Sequence, residues 1–242
     1  MTESAVDVWT SKAEAYLAQQ RDLGGPELYG LALALPALGL RGPAPSPAGG
    51  RLEAFRIEIG DCRKCGLAAS RTHLVFGAGN PDARLMIVGE APGEEEDRRG
   101  EPFVGEAGRL LDRILNAVGF DREEVYIANV LKCRPPRNRD PLPEETALCL
   151  PYLEGQIDRI QPRLILALGR FAAQSLLSCA DPLSRLRGAV QERNGVPVIA
   201  TYHPAALLRN PEWKRPTWED VQRLRKLYDE RVGDKPAWNP SA

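Results

Sequence analysis

Net charge is almost absent from this chain: 32 lysines and arginines stand against 33 aspartates and glutamates in 242 residues. No global field draws the protein to a polyanion or a charged membrane, so any nucleic-acid surface has to be local. Long apolar runs are missing too, and nothing approaches the ~18 residues of a membrane span. The opening residues, MTESAVDVWT, are polar and acidic and lack the basic start and apolar centre of a signal peptide. A cytoplasmic protein with no membrane partner is the expectation. Disulfides are rare in that compartment, so the five cysteines need another account. No internal repeat is present. The glycine loop VGEAPGEEED, residues 88–97, lacks the Gly-Lys-Ser/Thr of a P-loop and the Gly-x-Gly-x-x-Gly of a dinucleotide site. Its carboxylates would repel a polyphosphate unless a metal intervened.

Apolar residues make up 43% of the chain, enough for a sizeable core. TSKAEAYLAQQRDLGG reads as one helix, with Ser11 and Glu14 as a capping box. From Gly24 to Gly50 the chain is rich in Gly, Pro, Ala and Leu and ends in RGPAPSPAGG, a linker composition. A boundary near residue 50 divides an N-terminal extension, 1–50, from a main domain, 51–242. In the latter, the strand-like runs RLMIVG, VYIANVLKC, RLILALG and VPVIATYH alternate with helical patterns over 106–119, 143–160, 170–178 and 216–231. That alternation predicts a three-layer α/β/α domain with a mainly parallel sheet. Ligands bind such sheets beyond the carboxyl ends of the strands. The loops after Val88, Ile127 and Ala200 therefore share a rim, and they carry Glu90, Asn129 and His203.

Cys62 and Cys65 form C-x2-C, and Cys133 and Cys149 follow singly. Cys179, on a predicted helix, reads as a small apolar side chain. Cys133 ends a strand ahead of RPP, an odd place for a core residue. Four thiolates suit structural zinc or an iron–sulfur cluster. Zinc sites more often use two close pairs, whereas one pair and two scattered singles suit a cluster. The chemistry of the residues leaves both open.

Three longer stretches narrow the choice. GEAPGEEEDRRGEPFVGEAGRLLD, YIANVLKCRPPRNRDPLPEE and TYHPAALLRNPEWKRPTWEDVQRL closely resemble the motifs of the family 4 uracil-DNA glycosylases, across roughly residues 55–230. The resemblance implies a four-stranded parallel sheet between helices, a [4Fe-4S] cluster on Cys62, Cys65, Cys133 and Cys149, and removal of uracil from DNA. It leaves Cys179 and the first fifty residues outside the pattern. It also places Gly89, Glu90 and the backbone around Ala91 against the uracil and an attacking water. Gly93, Glu96 and Asn138 belong to the supporting loops, with Glu96 near the C5 edge of the base or orienting its neighbours. A neutral base is no misfit for an acidic loop. Glu94, Glu95 and Asp97 read as a solvated charge run.

Phe103 is the expected stacking platform. Asn129 carries a donor and an acceptor in one amide, as uracil O4 and N3–H require. His203 is placed to donate to O2, a preorganised contact typically worth ~10²–10³ in rate. Glu90 is the candidate to orient water and favour the cationic sugar. Other uracil glycosylases have an aspartate where this chain has Ala91, which leaves the general base unassigned. His73 has no partner motif and reads as structural or exposed. DNA contacts are expected from HPAALLRNPEWKR and RPPRNR: Leu207 or Leu208 as a wedge, and Arg209, Lys214 and Arg215 on phosphates. A monomer is the expected state. The competing readings are a non-catalytic iron–sulfur module that binds damaged DNA and a zinc-stabilised nucleotide hydrolase. A relative that traps uracil-DNA through a loop histidine does not fit, because KCRPPRNRDP holds no histidine.

Overall fold

The computed structural model describes residues 46–238. The helix expected over residues 10–25 lies outside the described residues. The first described helix, α1 (Pro47–Ile59), runs through residue 50. The Ser46 hydroxyl accepts from Gly49 N–H at 3.0 Å to cap it, and Ala48, Leu52, Phe55 and Ile59 are its buried side chains.

Six strands form one sheet in the order β1-β3-β2-β4-β6-β5. The inner four are β2 (Leu85–Gly89), β3 (Tyr126–Asn129), β4 (Leu164–Leu168) and β6 (Val196–Thr201). They are mutually parallel. The outer two, β1 (Ala78–Gly79) and β5 (Val190–Arg193), pair antiparallel to β3 and β6. The expected four-stranded parallel sheet is thus corrected to a six-stranded mixed one. The inner strands are apolar runs buried along nearly their whole length, the pattern of strands covered on both faces. The outer strands carry no such run. β1 is two residues long, and β5 alternates exposed with half-buried side chains before an Asn194-Gly195 turn in which both residues have positive φ.

Successive strand residues point to opposite faces, and the core divides accordingly. On one face Met86, Val88, Ala128, Ile165, Ala167, Val198 and Ala200 meet α1, α4 (Pro143–Ile160) and α5 (Arg170–Leu177). On the other, Leu85, Ile87, Ile127, Leu164, Leu166 and Ile199 meet α3 (Glu106–Ala117) and α8 (Lys214–Arg231). Three short helices, α2 (Glu94–Arg99), α6 (Leu183–Leu186) and α7 (Pro204–Arg209), complete the described α-helices, and four 3-10 turns lie between elements. The register pairs Val88 with Ala128 and Gly89 with Asn129, so β2 and β3 end side by side. Among the described residues no helix is long and apolar enough to cross a membrane.

Candidate functional site

At the carboxyl ends of the parallel strands lies a cleft of about 620 Å³. Its walls bring together Glu90, Ala91, Gly93, Glu96, Phe103, Asn129, Asn138, His203 and Arg209. The inner strand pairing continues past β2, since Val130 N–H donates to Gly89 O (2.9 Å) and Leu131 N–H to Glu90 O (3.0 Å). The Glu90 loop is therefore pinned against the segment that presents Asn129.

Asn129 is 2% exposed, and among the described residues its Oδ1 has no hydrogen-bond partner. Buried polar atoms are nearly always paired, so an unpaired acceptor in the wall of a cleft asks for a ligand. Its own carbonyl is held by Lys132, a buried lysine whose Nζ donates to Asn129 O (2.7 Å) and Gln156 Oε1 (2.6 Å). Phe103 is buried and stands at φ +52, a conformation rare for a side chain of its size. Its ring stacks on the His203 imidazole, with centroids 5.4 Å apart and planes inclined by 30°.

His203 caps α7. Ala205 N–H donates to its Nδ1 (3.2 Å), which leaves the proton of the neutral ring on Nε2. Burial, aided by Arg209 and opposed by Glu96, brings the imidazole down to about 4. Glu90 moves the other way. Burial, reinforced by the Asp140 carboxylate and opposed by Arg170, pushes its carboxyl up to about 7. Asp140 and Arg170, paired at 3.4 Å, also line the cleft.

The acidic loop is more ordered in its roles than its composition suggests. Glu96 accepts from the N–H groups of Gly93 (3.1 Å), Val104 (2.8 Å) and Gly105 (2.9 Å), tying the loop to the turn after Phe103. A Cβ on Gly93 would come within 2.7 Å of that carboxylate. Asp97, read from sequence as part of a solvated run, is 4% exposed. It accepts from Thr72 N–H at 2.9 Å, because the first turn of α2 directs it inward. His73 is exposed and its Nδ1 lies 2.9 Å from the Asp97 carbonyl. Asn138 accepts from Arg134 Nε through Oδ1 (2.7 Å). Of the two leucines in α7, Leu207 is 1% exposed, whereas Leu208 stands out at 37%. Lys214 and Arg215 are exposed at the start of α8.

Beside the cleft, Cys62, Cys65, Cys133 and Cys149 line one small space together with Arg71, Lys132 and Tyr152. None is in a disulfide. Two of the sulfurs already accept from protein donors: Cys149 Sγ from Lys132 N–H (3.2 Å) and Cys133 Sγ from Arg71 Nη1 (3.1 Å). The Tyr152 hydroxyl lies 3.2 Å from Cys62 Sγ. Among the described residues no three His, Cys, Asp or Glu side chains are gathered as tightly as a single metal ion requires. Cys179 packs instead against the core under α5, just beyond the helix end. Ala91 lines the cleft and also packs against the small cluster of Leu67, Leu131, Cys133 and Cys149.

Sequence reasoning gave no role to Lys132 and Tyr202, although they directly precede Cys133 and His203, nor to Asp140, Arg170 and Trp213, which reach the cleft only on folding.

The model of the Uracil DNA glycosylase superfamily matches residues 76–223. The chain is 49% identical over 178 residues to a Type-4 uracil-DNA glycosylase of Archaeoglobus fulgidus, covering 70% of this chain and 89% of that protein. It is 44% identical over 180 residues to a Type-4 uracil-DNA glycosylase of Thermotoga maritima, covering 73% and 94%. A Type-5 uracil-DNA glycosylase of Pyrobaculum aerophilum is 33% identical over 146 residues, covering 53% and 64%.

Proposed function

The chain belongs to the uracil DNA glycosylase superfamily, and from that premise we propose that it is a DNA-repair glycosylase acting on uracil in DNA. It takes the base out of the stack and hydrolyses its N-glycosidic bond, leaving an abasic site. The observation that carries the assignment of the cleft is the unpartnered Oδ1 of Asn129. Uracil N3–H is the donor this acceptor lacks, and the amide nitrogen of the same side chain serves uracil O4.

Around that contact the other walls take complementary parts. Phe103 offers a ring face to the base. As the bond from N1 to the sugar breaks, its electron pair moves into the pyrimidine and charge gathers on O2. The Nε2–H of a neutral His203 donates to that oxygen. The sugar becomes cationic, and Glu90, as a carboxylate, favours that charge and holds the water that adds to C1′. The proton lost by the water passes to Glu90 or to solvent. With Ala91 in place of an aspartate, the role falls to Glu90, since of the other cleft carboxylates Glu96 is taken up by backbone N–H groups and Asp140 by Arg170. Leu208, exposed where Leu207 is buried, fills the gap left by the flipped nucleotide. Arg209, Lys214 and Arg215 hold phosphates.

Cys62, Cys65, Cys133 and Cys149 are proposed to hold a [4Fe-4S] cluster. Four thiols around a common space, with N–H donors and a buried guanidinium directed at sulfur, fit thiolate ligation of a cluster wider than one ion. The cluster would cross-link segments far apart in sequence beside the cleft. Residues 51–242 are proposed as the catalytic domain and residues 1–50 as an extension.

Incubation with an oligonucleotide holding one uracil, then alkali, tests the activity. A strand break at uracil and none at thymine is expected. Binding without a break would favour the non-catalytic module instead.

A further inference from the structure

The cleft is several times the size of one pyrimidine, and its outer wall is built with unusual care. Tyr202 and Trp213 both line it. Their rings are stacked, with centroids 4.6 Å apart and planes 14° from parallel. Arg187 lies 4.5 Å over the Tyr202 ring, so the order along the stack is Arg187, Tyr202, Trp213.

Buried groups fix each member of this stack. Arg187 donates through Nε to Asp220 (2.7 Å) and through Nη2 to the Pro216 carbonyl (2.6 Å). Asp220, 1% exposed, also accepts from the Thr201 hydroxyl (2.7 Å), which immediately precedes Tyr202. Trp213 is held through its backbone: its N–H donates to Asn210 O (3.1 Å) and its carbonyl accepts from Thr217 Oγ1 (2.8 Å). Yet Trp213 itself is only half-buried. A large ring immobilised at the mouth of a cleft loses little entropy when a second ring stacks on it.

We infer that Tyr202 and Trp213 form a fixed aromatic shelf on which the base of one nucleotide adjoining the flipped uracil stacks. This rests on the uracil-excision reading of the same cleft. Two observations select a nucleotide over a peptide or a small apolar ligand. The cations Lys214 and Arg215 follow Trp213 directly and are exposed, and Arg209 lines the same cleft, so phosphates on either side of a stacked base would meet positive charge. The shelf is also continuous with the wall that carries His203, the residue next to Tyr202, so a strand whose uracil reaches Asn129 must pass it. Stacking on an aromatic face is tolerant of sequence, so the shelf would hold any neighbouring base.

The test uses the full chain and single strands with a 2′-fluorinated deoxyuridine, which resists excision. A tetrahydrofuran abasic residue replaces the nucleotide on one side of the uracil or the other. Wild type should bind one of the two abasic-neighbour strands roughly tenfold or more weakly than the intact strand. Trp213→Leu should bind the intact strand as weakly as wild type binds that abasic one, and should no longer distinguish the two. Trp213→Phe should restore most of the difference. Equal wild-type affinity for all three strands overturns the inference, and so does full discrimination by Trp213→Leu. If Trp213→Leu does not fold, the wild-type strand comparison and Trp213→Phe decide alone. A wild type that releases no uracil from the unfluorinated strand removes the glycosylase reading itself, a distinct result.

Discussion

A Cβ placed on Gly89 would stand 2.3 Å from Oδ1 of Asn129. The two residues are partners at the ends of paired parallel strands, and the amide fills the space that any side chain at position 89 would take. The same Cβ would come within 2.7 Å of the Phe103 ring. Gly89→Ala must therefore displace the Asn129 amide, the Phe103 ring, or both, and both are buried. Overpacking of this kind typically costs ~1–3 kcal/mol. A displaced amide also weakens a base-edge contact typically worth ~1–3 kcal/mol, so single-turnover excision of uracil should fall about fivefold or more, since each 1.36 kcal/mol of barrier is a factor of ten. Undiminished excision by a folded Gly89→Ala would show that neither group need be where the cleft holds it.

The pH dependence should report Glu90. If the carboxylate is the active form, kcat/KM rises about tenfold per pH unit toward a bend near its folded value of about 7. Asp140→Asn removes a like charge and should move the bend to lower pH, while Arg170→Gln should move it up. His203, held down to about 4, stays neutral throughout and adds no limb above that value. Stability carries the same signature. The folded pKa of Glu90 exceeds its reference value of 4.5, so the folded state binds the extra proton between the two. Its contribution is thus lost as pH rises through that window. Glu90→Gln should flatten this slope in denaturant titrations.

Iron content should divide the cysteines. Serine at Cys62, Cys65, Cys133 or Cys149 should lower bound iron and the absorbance near 400 nm, and loosen the fold beside the cleft. Cys179→Ser should keep both iron and activity, because Cys179 does not line the small space that the other four cysteines share. Iron lost from Cys179→Ser but retained by Cys149→Ser would reverse the assignment.

A chain beginning at Pro45 should excise uracil within a fewfold of the full chain. One beginning at Leu52 loses the Ser46 cap and the buried Ala48. Loss of a cap alone typically costs ~1 kcal/mol, so thermal melting should show a lower midpoint for this shorter chain. Equal midpoints would mean that the first turn of α1 adds nothing to the fold.

The inner strands were legible because each is an apolar run buried on both sides, and Glu90, Asn129 and His203 followed from the rule that ligands sit at the ends of such strands. The edge strands were not. β1 is a glycine-rich pair of residues, and β5 is exposed on alternate positions, although its Asn194-Gly195 turn was a usable hairpin signal. Asp97 was misread because a run of four acids at the start of α2 hides which one turns inward. Asp140, Arg170 and Trp213 acquire meaning only from what folding sets beside them, which no spacing in the chain encodes.

Base choice by Asn129 bears most directly on the whole account. Asn129→Asp keeps the size and shape of the side chain but replaces the donor proposed to face uracil O4 with a carboxylate oxygen. Uracil then loses a hydrogen bond and meets repulsion in its place; a mismatched base-edge contact alone typically costs ~1–3 kcal/mol. Cytosine, with an amino donor at C4, is better matched but leaves less readily without a proton at N3. Single-turnover cleavage of matched oligonucleotides, with uracil or cytosine at one position, should show at least a ~100-fold loss of uracil excision by Asn129→Asp. At most, weak cytosine excision should accompany it. Near-normal uracil removal by Asn129→Asp would contradict the account, because the unpartnered amide would then only end its strand.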